Sequence, residues 1–176
     1  VLLFVMGVSG LRAQTYNGDG YRKPVRPVKN VILMIPDGTS LGVVSAARWY
    51  RMYNGLGGET LAIDPHLCGT VKTFASNAPI GDSAPTTSCY MTGMPQQTGN
   101  VAIYPLQDES NDLVEVDPAM AYTPLATILE AMKNVQGKAA GLVVTVEFPY
   151  ATPADCSAHH YRRGNYSALG SQMAYQ

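Results

Sequence analysis

Three stretches of the sequence place polar residues where chemistry on an oxyanion would need them. Asp37 directly follows the apolar run 31–35, the pair Asp82-Ser83 starts a predicted helix, and a third polar segment follows the apolar run 141–146. A carboxylate and a hydroxyl at neighbouring strand ends can share one divalent cation. Backbone N–H groups at a helix N-terminus also favour a bound phosphate near Ser83. Asp37 or Ser83 could equally be an ordinary helix cap, so position alone leaves both interpretations open.

The elements that would position these residues alternate along the chain from residue 29 onward. The pattern of apolar residues predicts strands at 31–35, 69–75 and 141–146, the first of them buried on both faces, and a short extended segment at 100–104. Helical spacing predicts helices at 41–53, from Ser83 onward, at 123–134 and at 153–163. This alternation predicts an α/β fold with a mostly parallel central sheet flanked by helices on both faces, in three αβα layers. Ligands of such sheets gather at the carboxyl ends of the strands, where Asp37 and Ser83 fall.

The composition is that of a globular protein. Of 176 residues, 46% are hydrophobic and 14% are charged, which excludes a disordered or collagen-like chain. Twelve basic residues against thirteen acidic ones give a net charge of -1, so no basic surface predicts a nucleic-acid partner. The three cysteines, Cys68, Cys89 and Cys156, are too widely spaced for a thiolate metal site, so we expect buried thiols. In an exported protein two of them could form a disulfide, but the spacing does not say which two.

The first 28 residues predict export rather than membrane insertion. Residues 1–14 resemble the remnant of a secretory signal, with a first core strand as the alternative interpretation. The apolar run is too short for a stable membrane span. Residues 15–28, rich in glycine, proline and charge, are expected to be a linker before a domain at 29–176. The expected location is therefore periplasmic or secreted.

Three motifs together resemble the alkaline phosphatases. Residues 29–50, KNVILMIPDGTSLGVVSAARWY, are similar to that family's opening strand, metal-binding aspartate and first helix. Residues 80–88, IGDSAPTTS, resemble its nucleophile motif, and residues 123–163 resemble its next helix, strand and ATP-containing segment, which ends in a phosphate-binding arginine. The resemblance implies metal-dependent hydrolysis of phosphate monoesters through a phosphoserine intermediate. It also implies two zinc ions and one magnesium ion, and it allows a homodimer.

The resemblance assigns a role to five residues. Asp37 would bridge a zinc and the magnesium ion, and Thr152 would be a hydroxyl ligand of magnesium. Ser83 would be both a zinc ligand and the nucleophile. Arg163, rather than its neighbour Arg162, would bind the transferred phosphoryl group with its planar fork of N–H donors. Asp82 would orient Arg163.

The sequence departs from the family pattern in two ways that bear on activity. Tyr150 stands where relatives often carry Asp or His, so the identity of the third metal is left open. The family draws most of its zinc ligands, and a magnesium-binding Glu, from the second half of a longer chain. Because a four-coordinate zinc site needs three or four protein groups, we expect this chain to be the amino-terminal part of the catalytic domain, with the carboxyl-terminal part missing, and to be inert alone.

Alternatives at this point are a sulfatase, phosphodiesterase or phosphomutase of the same superfamily, or a non-catalytic exported phosphate-binding protein. Several further polar residues are expected to have no role in the site. The histidines His66, His159 and His160 match no metal ligand of the family, and the acidic residues Glu147, Asp155 and Asp112 are predicted to face solvent.

Overall fold

The computed structural model describes residues 4–6 and 29–175, so most of the proposed signal remnant and linker lies outside the described residues. The chain divides into two compact units, Val1–Val71 and Lys72–Gln176. The described elements are β1 (Phe4–Met6), β2 (Ile32–Met34), α1 (Leu41–Tyr53), α2 (Ser83–Thr92), α3 (Ile128–Asn134), α4 (Ala151–Ala154) and α5 (Tyr166–Tyr175), with 3₁₀ turns at Asp64–His66 and Pro118–Met120. None of these helices combines the length and apolarity needed to cross a bilayer.

The strands of the first unit form an antiparallel pair. β1 aligns with β2 so that Val5 lies opposite Leu33. The prediction of a strand at 31–35 is thus confirmed, but the prediction that it is buried on both faces is wrong, because Ile32 and Met34 are about half exposed, at 50% and 51%. Burial on both faces requires neighbouring elements above and below the strand, and the described part of this unit covers neither side chain.

Helix α1 follows β2 with the bounds that the sequence predicts. Ser40 caps it, because its hydroxyl accepts a hydrogen bond from the Val43 N–H at 3.2 Å. A bidentate ion pair then ties the helix to the following 3₁₀ turn: Arg48 donates to the two Asp64 carboxylate oxygens at 2.6 and 3.1 Å. The guanidinium of Arg48 and an Asp64 hydrogen bond with Leu61 hold the pKa of Asp64 below its usual value.

The second unit packs four helices around small side chains. α2 contacts α3 and α4, and α4 contacts α5. Its core cluster consists of Val101, Ala154, Ala158 and Leu169, with Met173 packed against it. Alanines at the α4 contact let backbones approach closely, which brings the start of α4 near α2. Gly93 ends α2 with a positive φ of 79°.

Two helices of this unit differ from their predicted bounds. α3 begins at Ile128, not at 123, because Thr127 forms a capping box with Glu130 and Pro124 pairs with Ile103 in an isolated bridge. The predicted helix at 153–163 is wrong beyond Ala154. There the backbone of His160 exchanges hydrogen bonds with Val101 at 2.8 and 2.9 Å, which takes the chain out of helical geometry.

Two of the predicted strands, 69–75 and 141–146, are not formed as ladders by the described residues. Segment 69–75 is irregular up to a bridge at Ala75, and segment 100–104 makes single bridges through Val101 and Ile103. Segment 141–146 lies exposed, with Val143 open to solvent along its whole side chain. A strand needs a neighbour on at least one edge, so the three-layer arrangement with a mostly parallel sheet stays a prediction.

The three cysteines are free thiols in different environments. Cys156 is buried, as expected, and burial raises its pKa to about 12. Cys68 is exposed and Cys89 is half-buried, so the expectation of buried thiols is wrong for Cys68. Cys68 follows the 3₁₀ turn at Asp64–His66 in a segment without regular structure, where no helix or strand covers it.

Candidate functional site

The Asp82-Ser83 pair lies at the N-terminus of α2, as predicted, but neither side chain caps the helix. Ser83 is the first helical residue and is half-buried. Asp82 holds the N-cap position with extended backbone, yet its carboxylate makes no capping bond. Its carbonyl instead accepts from the Thr86 hydroxyl at 2.7 Å. The first N–H groups of α2 are therefore left without the usual side-chain acceptor, which suits a bound anion.

Gly81 shapes the turn that presents Ser83. A Cβ at this position would lie 2.8 Å from the Thr86 Cγ2 and 3.2 Å from the Ala75 backbone nitrogen. The close approach of the Phe74-Ala75 backbone and of Thr86 to the turn therefore requires a residue without a side chain. Thr86 is itself buried, so it has little room to move away.

Arg163 reaches the same turn from a position 81 residues later in the chain. Its Nη1 donates to the Asp82 Oδ2 at 2.5 Å. Its backbone N–H donates to the Gly99 carbonyl at 2.8 Å, which fixes the base of the side chain. The neighbouring Arg162 is exposed. The structure thus brings together Arg163, Asp82 and the helix start that carries Ser83.

Thr152 lies in α4 with its hydroxyl enclosed. The Oγ1 atom is buried and has no hydrogen-bond partner among the described residues. A buried hydroxyl without a partner costs about 1–3 kcal/mol, so such an atom calls for an explanation. An oxygen that lacks a partner has the chemistry of a ligand for a hard cation such as Mg²⁺.

Asp155 contradicts its predicted exposure. Its carboxyl group is fully buried; Oδ1 accepts from the Ser88 hydroxyl at 2.5 Å and from the Ala102 N–H at 3.0 Å, and Oδ2 has no partner among the described residues. Burial raises the pKa of Asp155 well above its usual value, against the opposing effects of the two hydrogen bonds and of Arg163. The small residues on either side of Asp155 were the available signal that this position packs inside.

A second buried contact joins α3 to the loop that carries Ala102. The His159 Nδ1 lies 2.7 Å from the Ala102 carbonyl oxygen, and its Nε2 lies 2.9 Å from the Glu130 Oε1. Burial by itself would raise the pKa of Glu130, but hydrogen bonds from Thr127 and His159 bring it below its usual value. Both ring nitrogens of His159 are therefore engaged within the protein.

Asp37 belongs to the first unit, whereas the other predicted site residues belong to the second. It follows β2 in an exposed turn with Gly38, whose φ is +69°. It does not cap α1, since Ser40 does. No cluster of three or more His, Cys, Asp or Glu side chains within residues 29–175 is arranged to hold a metal ion. The oxygen donors of the described residues thus suit a hard cation such as Mg²⁺. They do not by themselves provide the ligands of a zinc site.

The sequence is similar to alkaline phosphatases from several kingdoms. It is 35% identical over 136 residues to the alkaline phosphatase of Schizosaccharomyces pombe, covering 77% of this chain and 23% of that protein. It is 31% identical over 143 residues to the human tissue-nonspecific isozyme, covering 79% and 26%. Alkaline phosphatase 3 of Bacillus subtilis is 30% identical over 145 residues, covering 81% and 28%. The chain spans about a quarter of the length of these curated relatives.

The fold is similar to that of solved alkaline phosphatases. The cold-active enzyme of a psychrophilic Shewanella superposes with a TM-score of 0.64 at 26% identity, covering 80% of this chain and 32% of that chain. The enzyme of the Antarctic bacterium TAB5 superposes with a TM-score of 0.59 at 21% identity, covering 80% and 35%. A sequence model of the family described as "Alkaline phosphatase" matches residues 28–176. The chain therefore belongs to the alkaline phosphatase family.

Proposed function

We propose that this chain supplies the nucleophile, the phosphate-binding arginine and part of the metal ligands of a metal-dependent phosphomonoesterase. One observation carries the proposal: the Arg163 guanidinium is ion-paired at 2.5 Å to Asp82, the residue directly before Ser83. The guanidinium is thus held beside the residue that precedes Ser83, at a helix N-terminus where dipole and N–H groups favour a phosphoryl group. Membership of the alkaline phosphatase family supports the same substrate class.

In the proposed reaction, the Ser83 Oγ attacks the phosphorus of a monoester. The new Oγ–P bond forms as the bond to the ester oxygen breaks, and the alcohol departs with a proton. Water then cleaves the phosphoserine and restores the Ser83 hydroxyl with release of inorganic phosphate. Arg163 keeps in-plane N–H donors for the non-bridging oxygens while one of them holds Asp82, since a guanidinium has five N–H donors.

The metal ligands that we propose are Asp37, Ser83 and Thr152. The buried Thr152 hydroxyl without a partner fits a magnesium ligand, although the uncharged Tyr150 two residues earlier leaves the third metal undetermined. Zn²⁺ and Mg²⁺, when bound, supply positive charge that lowers the pKa of the Ser83 hydroxyl and stabilises the departing oxygen. Three oxygen donors cannot complete the two proposed zinc sites, so we propose that the 176-residue chain has no turnover by itself.

The remaining parts of the proposal concern the whole protein. Residues 1–14 act as an export signal and 15–28 as a linker, so that the enzyme works in the periplasm or outside the cell. In the complete domain the runs 31–35 and 141–146 are strands of a mostly parallel sheet between two helical layers. The exposed side chains of these runs support this arrangement, because they are apolar and uncovered within the described residues.

The test is hydrolysis of an aryl phosphate by the protein that carries the remaining metal ligands, with Zn²⁺ and Mg²⁺ present. We expect phosphate release at alkaline pH, loss of all turnover in Ser83→Ala, and no turnover by the 176-residue chain. Ser171→Ala is the matched control, because Ser171 is an exposed serine of α5 and should behave as wild type. Preferred hydrolysis of a diester or a sulfate ester, or activity that survives Ser83→Ala, would contradict the proposal.

A further inference from the structure

The Arg163 guanidinium has a second contact that the proposed function does not use. Its Cζ lies 5.2 Å from the centre of the Tyr150 ring. This distance is within the range of about 6 Å in which an aromatic ring attracts a cation. The guanidinium is therefore held by the Asp82 carboxylate and lies over the face of an aromatic ring.

Tyr150 is itself held by its backbone and by one other aromatic ring. Its backbone N–H donates to the Glu147 carbonyl at 2.9 Å, and its carbonyl accepts from the Ala154 N–H at 2.9 Å. The Tyr166 ring of α5 meets the Tyr150 ring edge-on, with centroids 6.2 Å apart. A side chain anchored at the start of α4 and supported by α5 can hold a partner in place at little entropic cost.

The two interactions of Arg163 leave other N–H groups of its guanidinium available to bind a phosphoryl group. Cation–π attraction acts between the charge of the guanidinium and the face of the Tyr150 ring, so it takes up no N–H donor that could bind oxygen. Among the described residues, Asp82 accepts the one hydrogen bond that the side chain donates. Other in-plane N–H donors thus stay open for an oxyanion while the ring limits rotation of the plane.

We propose that Tyr150 is a positioning residue: its ring fixes the plane of the Arg163 guanidinium so that its in-plane N–H groups face the phosphoryl group. This inference rests on the proposed function for its consequence in catalysis, but the contact can be tested without activity. Tyr150 then acts through an uncharged ring at the position where the resemblance leads one to expect Asp or His.

The first experiment uses nuclear magnetic resonance of the 176-residue chain with ¹⁵N-labelled arginine. Ring currents should shift the Arg163 Nε–Hε resonance upfield, and Arg163→Lys identifies that resonance by removing it. We expect the shift to persist in Tyr150→Phe and to vanish in Tyr150→Leu. Arg48, which pairs with Asp64 in the other unit, is the internal control and should not move. An Arg163 resonance that is the same in Tyr150→Leu and wild type overturns the proposal.

The second experiment measures aryl phosphate hydrolysis by the protein that carries the remaining metal ligands. Tyr150→Leu should raise KM about fivefold with a smaller change in kcat, because the lost contact is made before as well as during phosphoryl transfer. Tyr150→Phe keeps the aromatic ring and should have the same KM as wild type. Equal KM values for Tyr150→Leu and wild type contradict the proposal. A wild-type protein without turnover contradicts the proposed function instead, and the resonance experiment then decides whether Tyr150 contacts Arg163.

Discussion

At the residue scale, the buried carboxyl group of Asp155 is expected to make the stability of the fold depend on pH. Its pKa is raised in the folded protein, so the folded state holds this proton more tightly than the unfolded state. Between the unfolded and folded pKa values the folded state binds more protons. The free energy of unfolding must then fall as pH rises through that window, by at most about 1.4 kcal/mol per pH unit for one group.

The prediction concerns Asp155→Asn, which keeps an acceptor for Ser88 and Ala102 and cannot ionise. In wild type, the free energy of unfolding should decline above about pH 4, the ordinary pKa of Asp, and this decline should be absent in the variant. Near the folded-state pKa of Asp155 the variant should therefore be more stable than wild type. Urea unfolding at a series of pH values measures this. Glu109→Gln, at an exposed position, serves as the comparison. Parallel curves for wild type and Asp155→Asn would show that Asp155 does not control the pH dependence.

Gly81 carries a second prediction at this scale. In Gly81→Ala the new Cβ meets the Thr86 Cγ2 at 2.8 Å, so Thr86 must rotate and give up its 2.7 Å hydrogen bond to Asp82. We expect a loss of about 1–3 kcal/mol in the free energy of unfolding, from urea titration.

A matched double variant isolates the cause. Thr86→Ser removes the obstructing methyl group and keeps the hydroxyl, so Gly81→Ala should cost less in that background than in wild type. If the cost is the same in both backgrounds, contact with Thr86 is not its origin.

At the element scale, the start of α3 depends on one hydroxyl group. Thr127 is buried; its Oγ1 accepts from the Glu130 N–H at 3.2 Å and donates to the Cys156 carbonyl at 2.6 Å. The Glu130 carboxylate in turn accepts from the Thr127 N–H at 2.8 Å. The same hydroxyl therefore begins α3 and joins it to the residue two positions after α4.

Removing that hydroxyl should destabilise the second unit. Thr127→Ala is expected to lower the free energy of unfolding by about 2 kcal/mol, because a cap is lost and a buried carbonyl loses its donor. Thr127→Ser keeps both bonds and should cost clearly less. Thermal unfolding followed by circular dichroism compares the two; equal losses would assign the effect to the methyl group instead.

The bounds of the helices show where the local sequence pattern is sufficient to predict the start or end of an element. α1 agrees with prediction because its signals are local: an apolar period and the capping residue Ser40 within a few positions. α2 also begins at Ser83 as predicted, although no side chain caps it. α4 ends early because His160 pairs with Val101, a contact across about sixty residues that no local window contains.

At the scale of the whole molecule, both units leave large apolar side chains open to solvent. Trp49 is 70% exposed, Tyr53 is 91% exposed and Val143 is fully exposed. Contiguous apolar surface of this type favours association. We predict that the 176-residue chain increases the fluorescence of an apolar dye and sediments in a concentration-dependent way.

Substitution of one exposed position tests this surface directly. Val143→Lys should reduce dye fluorescence, because it places a charge in the middle of the run 141–146, whereas Ser171→Ala should not. Trp49, the single tryptophan, should emit as a water-exposed indole in the monomer and shift to shorter wavelength on association if its own surface is covered. A strictly monomeric chain that binds no dye contradicts the prediction.

The sequence by itself determined the family and the position of the Ser83 helix start, because motif residues and helix signals are local and their order along the chain is fixed, and the family resemblance implied that Asp82 would orient Arg163. Only the tertiary structure decided that Asp155 is buried and that the Tyr150 ring lies on Arg163. Burial and ring contacts depend on which distant segments pack together, and a residue type does not specify its neighbours in space. The small neighbours Ala154 and Cys156 are a local signal of burial, but the groups that contact the buried carboxyl group, Ser88 and Ala102, come from distant parts of the chain.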